Sequence, residues 1–196
     1  MIRLGLLRHG RTAWNAEHRL QGRREVPLLP EARAHLAGLR VPVPFAEAVW
    51  HTSPLGRARE TAALLGGAAA RVEPRLIEMD FGTYEGRRLS ELRGEFGEEM
   101  RRNEARGLDF QPPRGESPRQ VQDRLRPWLE ACAGEGGDHF AVTHKAVIRA
   151  VLALAFDWQM LKAAPVRLDW QALHVFVLDD RGRPRPLQMN LALERR

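Results

Sequence analysis

The alternation of short strand-patterned apolar runs with longer segments of helical spacing constrains the fold of this chain most. The first run, "IRLGLLR" (residues 2–8), is rich in Ile and Leu and has the period-two pattern of a strand. The runs "AEAVWHTS" (46–53) and "HFAVTH" (139–144) read the same way. Between them lie helical segments. Pro30 suits a first helical position, and "EARAHLAGL" continues from it. In "PLGRARETAALLGG" the residues Leu55, Ala58, Ala62 and Leu65 form an apolar stripe that Gly66 and Gly67 end. Ser117 can cap a helix opened by Pro118, with Val121, Leu125, Trp128 and Leu129 facing inward and Pro127 expected to kink or interrupt it. "KAVIRAVLALAF" (145–156) follows the third strand directly.

Strands alternating with helices pair in parallel and carry helices on both faces. The predicted fold is therefore three-layer α/β/α with a mostly parallel central sheet. "RVEPRLIEM" reads as a short extended piece, and "RRLSELRGEFGEEMRRNEARG" as an exposed helix broken near Gly94 and Gly97. With the link "QPPRG", residues 87–115 form a small helical cap insertion in a single domain spanning 1–196. The tail "ALHVFVLDDRGRPRPLQMNLAL" predicts two strands joined by a turn at Asp180 to Pro184.

Bulk properties narrow the function classes. A chain of 196 residues can build one sizeable core. Its one cysteine, Cys132, excludes an internal disulfide and a cysteine-based metal cluster, which favours the cytoplasm. No signal-peptide pattern is present, and the most apolar run, "AVIRAVLALAF", is interrupted by Arg149 and falls short of the ~20 residues of a spanning helix. No membrane partner is expected. The net charge of +6 raises the question of nucleic acid, yet the basic residues are spread along the chain with acids interleaved, as in "EEMRRNEAR". All of the 31 basic residues except Lys145 and Lys162 are arginine, whose planar fork suits phosphate. A solvated surface without nucleic acid is the reading those patterns favour.

In parallel sheets, ligands bind at the carboxyl ends of strands. Arg8 and His9 lie at that end of the first strand, and Thr143 and His144 at that end of "HFAVTH". Four segments then stand out: "RHGRTAWN", "SPLGRARET", "EMDFGTYEG" and "THKAVIR". Together, and in this order, they resemble the histidine phosphatase (phosphoglycerate mutase-like) superfamily from about Leu4 to Arg149. The resemblance implies that His9 is a nucleophile taking a phosphoryl group, that Arg8 and Arg57 clamp its oxygens, and that His144 supplies charge or hydrogen bonds in the transition state. Fixed positive donors are what a transferring phosphoryl group requires. Glu78 matches the family's general acid, with Asp80 and Glu85 as rivals, and its pKa must be raised for that role. Asn15, Gln21 and Gly22 look like phosphate and substrate contacts. Glu116 either orients a catalytic side chain or neutralises an arginine.

Two positions depart from the family pattern. Lys145 stands where a glycine usually follows the second histidine, and joins the substrate-binding set. Leu29 and Pro30 replace a threonine-glycine pair. The resemblance implies no metal and no cofactor, and no histidine pair among His18, His35, His51, His139 and His174 has metal-ligand spacing. The segment "MDFGTYEGRRLSEL" is similar to the phosphatase branch, so hydrolysis of small phosphorylated metabolites through a phosphohistidine is the implied function. Cofactor-dependent phosphoglycerate mutase and an inactive, basic RNA-binding protein are the alternatives. A homodimer is left open. Arg101, Arg102, Arg106 and Arg114 would draw a second acidic group on the substrate, unless they only pair with Glu98, Glu99 and Glu104.

Overall fold

The computed structural model describes residues 1–196. Its strands are β1 (Ile2–Arg8), β2 (Leu39–Arg40), β3 (Val49–Thr52), β4 (Arg71–Val72), β5 (His139–Thr143), β6 (Leu173–Leu178), β7 (Pro184–Leu191) and β8 (Glu194–Arg195). The helices are α1 (Ala13–Ala16), α2 (Pro30–Ala37), α3 (Gly56–Leu64), α4 (Leu89–Glu104), α5 (Pro118–Glu135) and α6 (Lys145–Phe156). Six strands make the central sheet in the order β4-β3-β5-β1-β6-β7, while β2 and β8 form a separate two-stranded ribbon. The first four strands of that order are mutually parallel. β6 and β7 close the other edge as an antiparallel hairpin. The α/β class and its mostly parallel sheet are as expected.

Alternation along the strands divides the core in two. Leu4 and Leu6 of β1, Ala141 of β5 and Phe176 of β6 pack with α5 and α6 on one face. Leu7, Phe140, Val142 and Val175 pack with α2 and α3 on the other. This is the period of two expressed as two layers of helices. Gly5 is needed for closeness: a Cβ there would stand 3.0 Å from Phe45 and 3.1 Å from Leu173.

Three sequence expectations are corrected. α5 runs through Pro127 as one assigned helix instead of being interrupted there. Proline removes one backbone hydrogen bond, and the buried stripe of Val121, Leu125, Trp128 and Leu129 outweighs that loss. α4 is broken at Gly97 (φ 47°, ψ −113°) and stays helical at Gly94. "RVEPRLIEM" pairs as a strand only at Arg71–Val72 and then turns into a 3₁₀ helix at Pro74–Leu76. The short α1 and the β2–β8 ribbon carry no sequence signal long enough to read. No helix is long and apolar enough to cross a membrane.

The order of the sheet positions the site. The chain leaves β1, builds β3 and β4 further out, and returns to insert β5 between β3 and β1. Arg8 thereby pairs in register with Thr143, and the His9 N–H donates to the Thr143 carbonyl at 2.9 Å. Residues 9 and 144 become neighbours at the carboxyl edge.

Candidate active site

His9 leaves β1 as a buried imidazole. Its Nδ1–H donates to the Gly10 carbonyl at 2.7 Å, which places the lone pair on Nε2. The Arg57 Nε–H approaches that Nε2 at 3.3 Å. Burial, then the Arg8 and Arg57 cations, hold the His9 pKa well below its ordinary value, so the ring is neutral near pH 7. A neutral ring with an inward lone pair has the form a nucleophile needs.

Arg57 lies in the first turn of α3 and is 1% exposed. Its Nη1 and Nη2 donate to the carbonyls of Arg24 (2.8 Å) and Gly22 (2.7 Å). Neither Glu60 nor Glu47 pairs with it, since Glu60 binds Arg33. The loop of residues 22–24 therefore fixes the guanidinium through backbone oxygens and leaves its charge uncancelled. Gly22 acts on Arg57 in this way and does not itself line the cleft. Arg8 is half-buried, its guanidinium 5.9 Å from the Trp170 ring centre, and its buried Nε has no partner.

His144 caps α6 and is fully buried, with its ring centre 5.0 Å from that of His9. Its Nε2 is 2.7 Å from Ser53 Oγ, while Nδ1 has no partner. Burial, followed by His9, Arg57 and Arg8, lowers its pKa well below the usual value. The unliganded ring is therefore neutral, which favours the hydrogen-bonding role over the charged one. Ser53 lies inside a segment that the sequence singles out, but its pairing with a residue so far along the chain has no local signal.

Glu78 is 4% exposed. Its Oε1 accepts from Met79 N–H (2.9 Å) and its Oε2 from Ala146 N–H (3.4 Å), in the first turn of α6. Burial raises its pKa above the ordinary carboxyl value despite those bonds and the nearby Arg57 and Arg8. The backbone leading to it is pinned from two sides. Thr143 Oγ1 donates to the Leu76 carbonyl at 2.8 Å, and Arg124 donates to the carbonyls of Ile77 (2.7 Å) and Arg75. Glu116 binds Arg124 (3.1 Å) and Arg23 (3.0 Å), so it neutralises arginines and thereby supports the segment before Glu78. Asp80 and Glu85 do not line the cleft.

Asn15 and Gln21 lie on the first loop. Asn15 Oδ1 accepts from Thr12 N–H (3.1 Å) and its Nδ2 donates to Gln21 Oε1 (3.0 Å), which also accepts from Thr12 Oγ1 (2.8 Å). Asn15 thus positions Gln21, whose Nε2 is buried without a partner. Lys145 sits exposed at the cleft rim with Nζ 5.1 Å from the Trp170 ring centre. Trp170 forms a wall beneath both Arg8 and Lys145.

Arg8, His9, Asn15, Gln21, Glu78, Lys145 and Trp170 line one cleft of about 1100 Å³, with Arg57 and His144 packed behind its wall against His9, and Leu89, Arg93, Glu104, Gly107 and Phe110 from the segment read as a cap complete it. Arg101, Arg102, Arg106 and Arg114 do not reach it. They are exposed, and Arg101 pairs with Glu98 at 3.1 Å. Arg59 is solvated, whereas exposed Arg11 stands at the cleft edge.

A histidine phosphatase superfamily (branch 1) model matches residues 4–191. The chain belongs to the histidine phosphatase superfamily. Among curated relatives, a probable phosphoglycerate mutase GpmB of Serratia proteamaculans is 34% identical over 163 residues, covering 78% of this chain and 74% of that one. Among solved structures, YhfR of Bacillus stearothermophilus gives a TM-score of 0.80 at 26% identity and covers 98% of each chain. TTHB049 of Thermus thermophilus gives 0.74 at 32% identity, covering 97% of this chain and 99% of that one. The protein is therefore a superfamily enzyme of phosphatase or mutase type.

Away from this histidine phosphatase cleft, His51, His139 and Cys132 converge within 4.8 Å, a grouping their sequence spacing did not reveal. His51 Nε2 and His139 Nδ1 share a hydrogen bond at 3.1 Å, and His139 Nε2–H donates to the Cys132 carbonyl at 3.1 Å. The two rings hydrogen-bond to one another, with His139 opening β5 at the end opposite His144 and His51 on the adjacent β3.

Proposed function

We propose that the protein hydrolyses small phosphomonoesters through a phosphohistidine at His9. The observation that carries this reading is a set of three buried nitrogens without partners around one imidazole: Arg8 Nε, Gln21 Nε2 and His144 Nδ1. Orphaned buried polar groups cost about 1–3 kcal/mol each, and an incoming phosphoryl group would satisfy them together, with His144 Nδ1 protonated and Ser53 Oγ–H donating to its Nε2.

In the first step His9 Nε2 attacks phosphorus and forms the P–N bond as the P–O ester bond breaks. Glu78, whose pKa burial raises, gives its proton to the departing alkoxide. Arg8, Arg57 and His144 hold the charge on the three phosphoryl oxygens. In the second step the Glu78 carboxylate takes a proton from water, whose oxygen attacks phosphorus. The P–N bond then breaks and its electron pair returns to Nε2.

A phosphoglycerate mutase, the description borne by the curated relatives, is the second reading. A mutase must shield its phosphoenzyme from water. Here Arg11, His18, His35 and Lys145 rim the cleft as exposed residues, which favours access by water and hence hydrolysis. The test is phosphate release from a panel of esters in the presence of a chelator, beside 3- to 2-phosphoglycerate conversion with a bisphosphoglycerate primer. Release should exceed conversion, and His9→Ala should lower it more than about 10³-fold. Conversion faster than any hydrolysis would reverse the order of the two readings.

A further inference from the structure

Apart from Arg11, exposed at the cleft edge, two cleft cations have no assigned work in the hydrolytic reading. Of the basic side chains in the cleft walls, Arg19 is paired with Glu17 at 2.6 Å and Arg93 with Glu104 at 2.7 Å. Lys145 and Arg149 make neither an ion pair nor a side-chain hydrogen bond. Each instead stands over an indole, Lys145 Nζ 5.1 Å from the centre of Trp170 and the Arg149 guanidinium 5.0 Å from that of Trp158. Trp158 is itself fixed, its Nε1–H donating to the Lys162 carbonyl at 3.0 Å. Stacking holds the two cations in place without neutralising them.

Their placement is electrostatically unfavourable in the absence of an anion. Lys145 is the first residue of α6, where the helix dipole repels a cation. Arg149 follows one turn later on the same face, and like charges at that spacing repel. They are the only charged side chains on α6. Burial lowers the pKa of Arg149, and burial together with Arg8 and Arg149 lowers that of Lys145. The same first turn holds Glu78 through the Ala146 N–H, so these charges stand beside the reacting groups.

We propose that Lys145 and Arg149 form a subsite for a second anionic group on the substrate. The enzyme then selects phosphomonoesters carrying a carboxylate or further phosphate close to the transferring phosphoryl group. Such a group would relieve the repulsion, with the guanidinium fork binding it and the ammonium adding charge. The inference rests on the hydrolytic reading and names its substrate class. It places on α6 the role for which the sequence offered Arg101, Arg102, Arg106 and Arg114 as candidates.

Matched substrates test it. 3-Phosphoglycerate and glycerol 3-phosphate differ by carboxylate against hydroxymethyl. Propanediol 1,3-bisphosphate and 3-hydroxypropyl phosphate do the same for a second phosphate. The ratio of kcat/KM within a pair, from primer-free phosphate release, cancels any loss common to both. The anionic member should be preferred at least about tenfold in one pair, and Lys145→Gln and Arg149→Gln should each reduce that preference several-fold. Arg149→Lys, which keeps the charge, should retain part of it. Equal ratios in wild type and folded variants, or preference for the neutral members, would overturn the subsite. Should no ester turn over, calorimetric binding of the same pairs to His9→Ala and to its double variants reads the subsite directly. A preference lost in the double variants would then support the subsite while the hydrolytic reading fails, and no preference would sink both.

Discussion

A neutral imidazole has one lone pair to offer, and at His9 the Gly10 carbonyl decides which nitrogen carries it. The rest of the site depends on that choice. His9 is depressed below its ordinary pKa and Glu78 is raised above its own, so an imidazole base and a carboxylic acid can coexist. The rate should rise as pH climbs through the lowered His9 value and fall as it climbs through the raised Glu78 value. A pH profile of kcat/KM with an alkyl phosphate reads both limbs. Glu78→Gln should remove the alkaline limb and cost about 10²- to 10⁴-fold with that ester. With p-nitrophenyl phosphate, whose phenolate leaves without a proton, the loss should be smaller. Equal losses for the two esters would remove Glu78 as the acid.

At the scale of elements, α4 contains two glycines with opposite requirements. Gly94 is helical and exposed, and a Cβ there meets nothing within 4 Å. Gly97 adopts φ 47°, ψ −113°, which L side chains rarely reach. Gly94→Ala should therefore stabilise the protein by up to about 1 kcal/mol, and Gly97→Ala should destabilise it by about 1–3 kcal/mol. Urea denaturation of the two variants gives the signs directly. The sequence marked both glycines as breaks because composition alone does not say where the chain turns. That turn depends on Leu92 and Met100 packing with Tyr84 in a small separate cluster.

The whole molecule carries its pH sensitivity in buried histidines. Burial lowers both His51 and His174 to about 4. The unfolded chain would bind protons at these positions below pH 6.5, before the native state does. Their contribution is therefore complete above about pH 6.5 and is lost as pH falls through 4. Glu78 works in the other direction, since its raised carboxyl costs stability as pH rises above the unfolded value. The histidines outnumber it, so Tm measured in scans should fall by several degrees from pH 6.5 to pH 4.5. A flat or rising Tm over that interval would contradict the burial of neutral rings. The arginine-rich surface is compensated internally by pairs such as Arg33–Glu60, Arg71–Glu135 and Arg119–Asp109. RNA should therefore bind without a steep salt dependence and leave phosphate release unchanged.

Sequence alone determined what depends on near neighbours. Apolar period, caps and glycine stops placed β1, α2, α3, β5 and α6, and with them His9 and His144 at strand ends. The four segments carried the family and proposed His9, Arg8, Arg57, Glu78 and His144 as its reacting groups. Tertiary structure decided which strands lie side by side, because periodicity sets the face a side chain takes and not the neighbour it meets. The insertion of β5 beside β1 brought residue 144 to residue 9. The same closure gave Arg57 its carbonyl anchors, left Gln21 and His144 each with an unpartnered nitrogen, and set Lys145 and Arg149 in the cleft instead of Arg101, Arg102, Arg106 and Arg114. Those outcomes depend on contacts between segments distant in the chain, where no local pattern carries information.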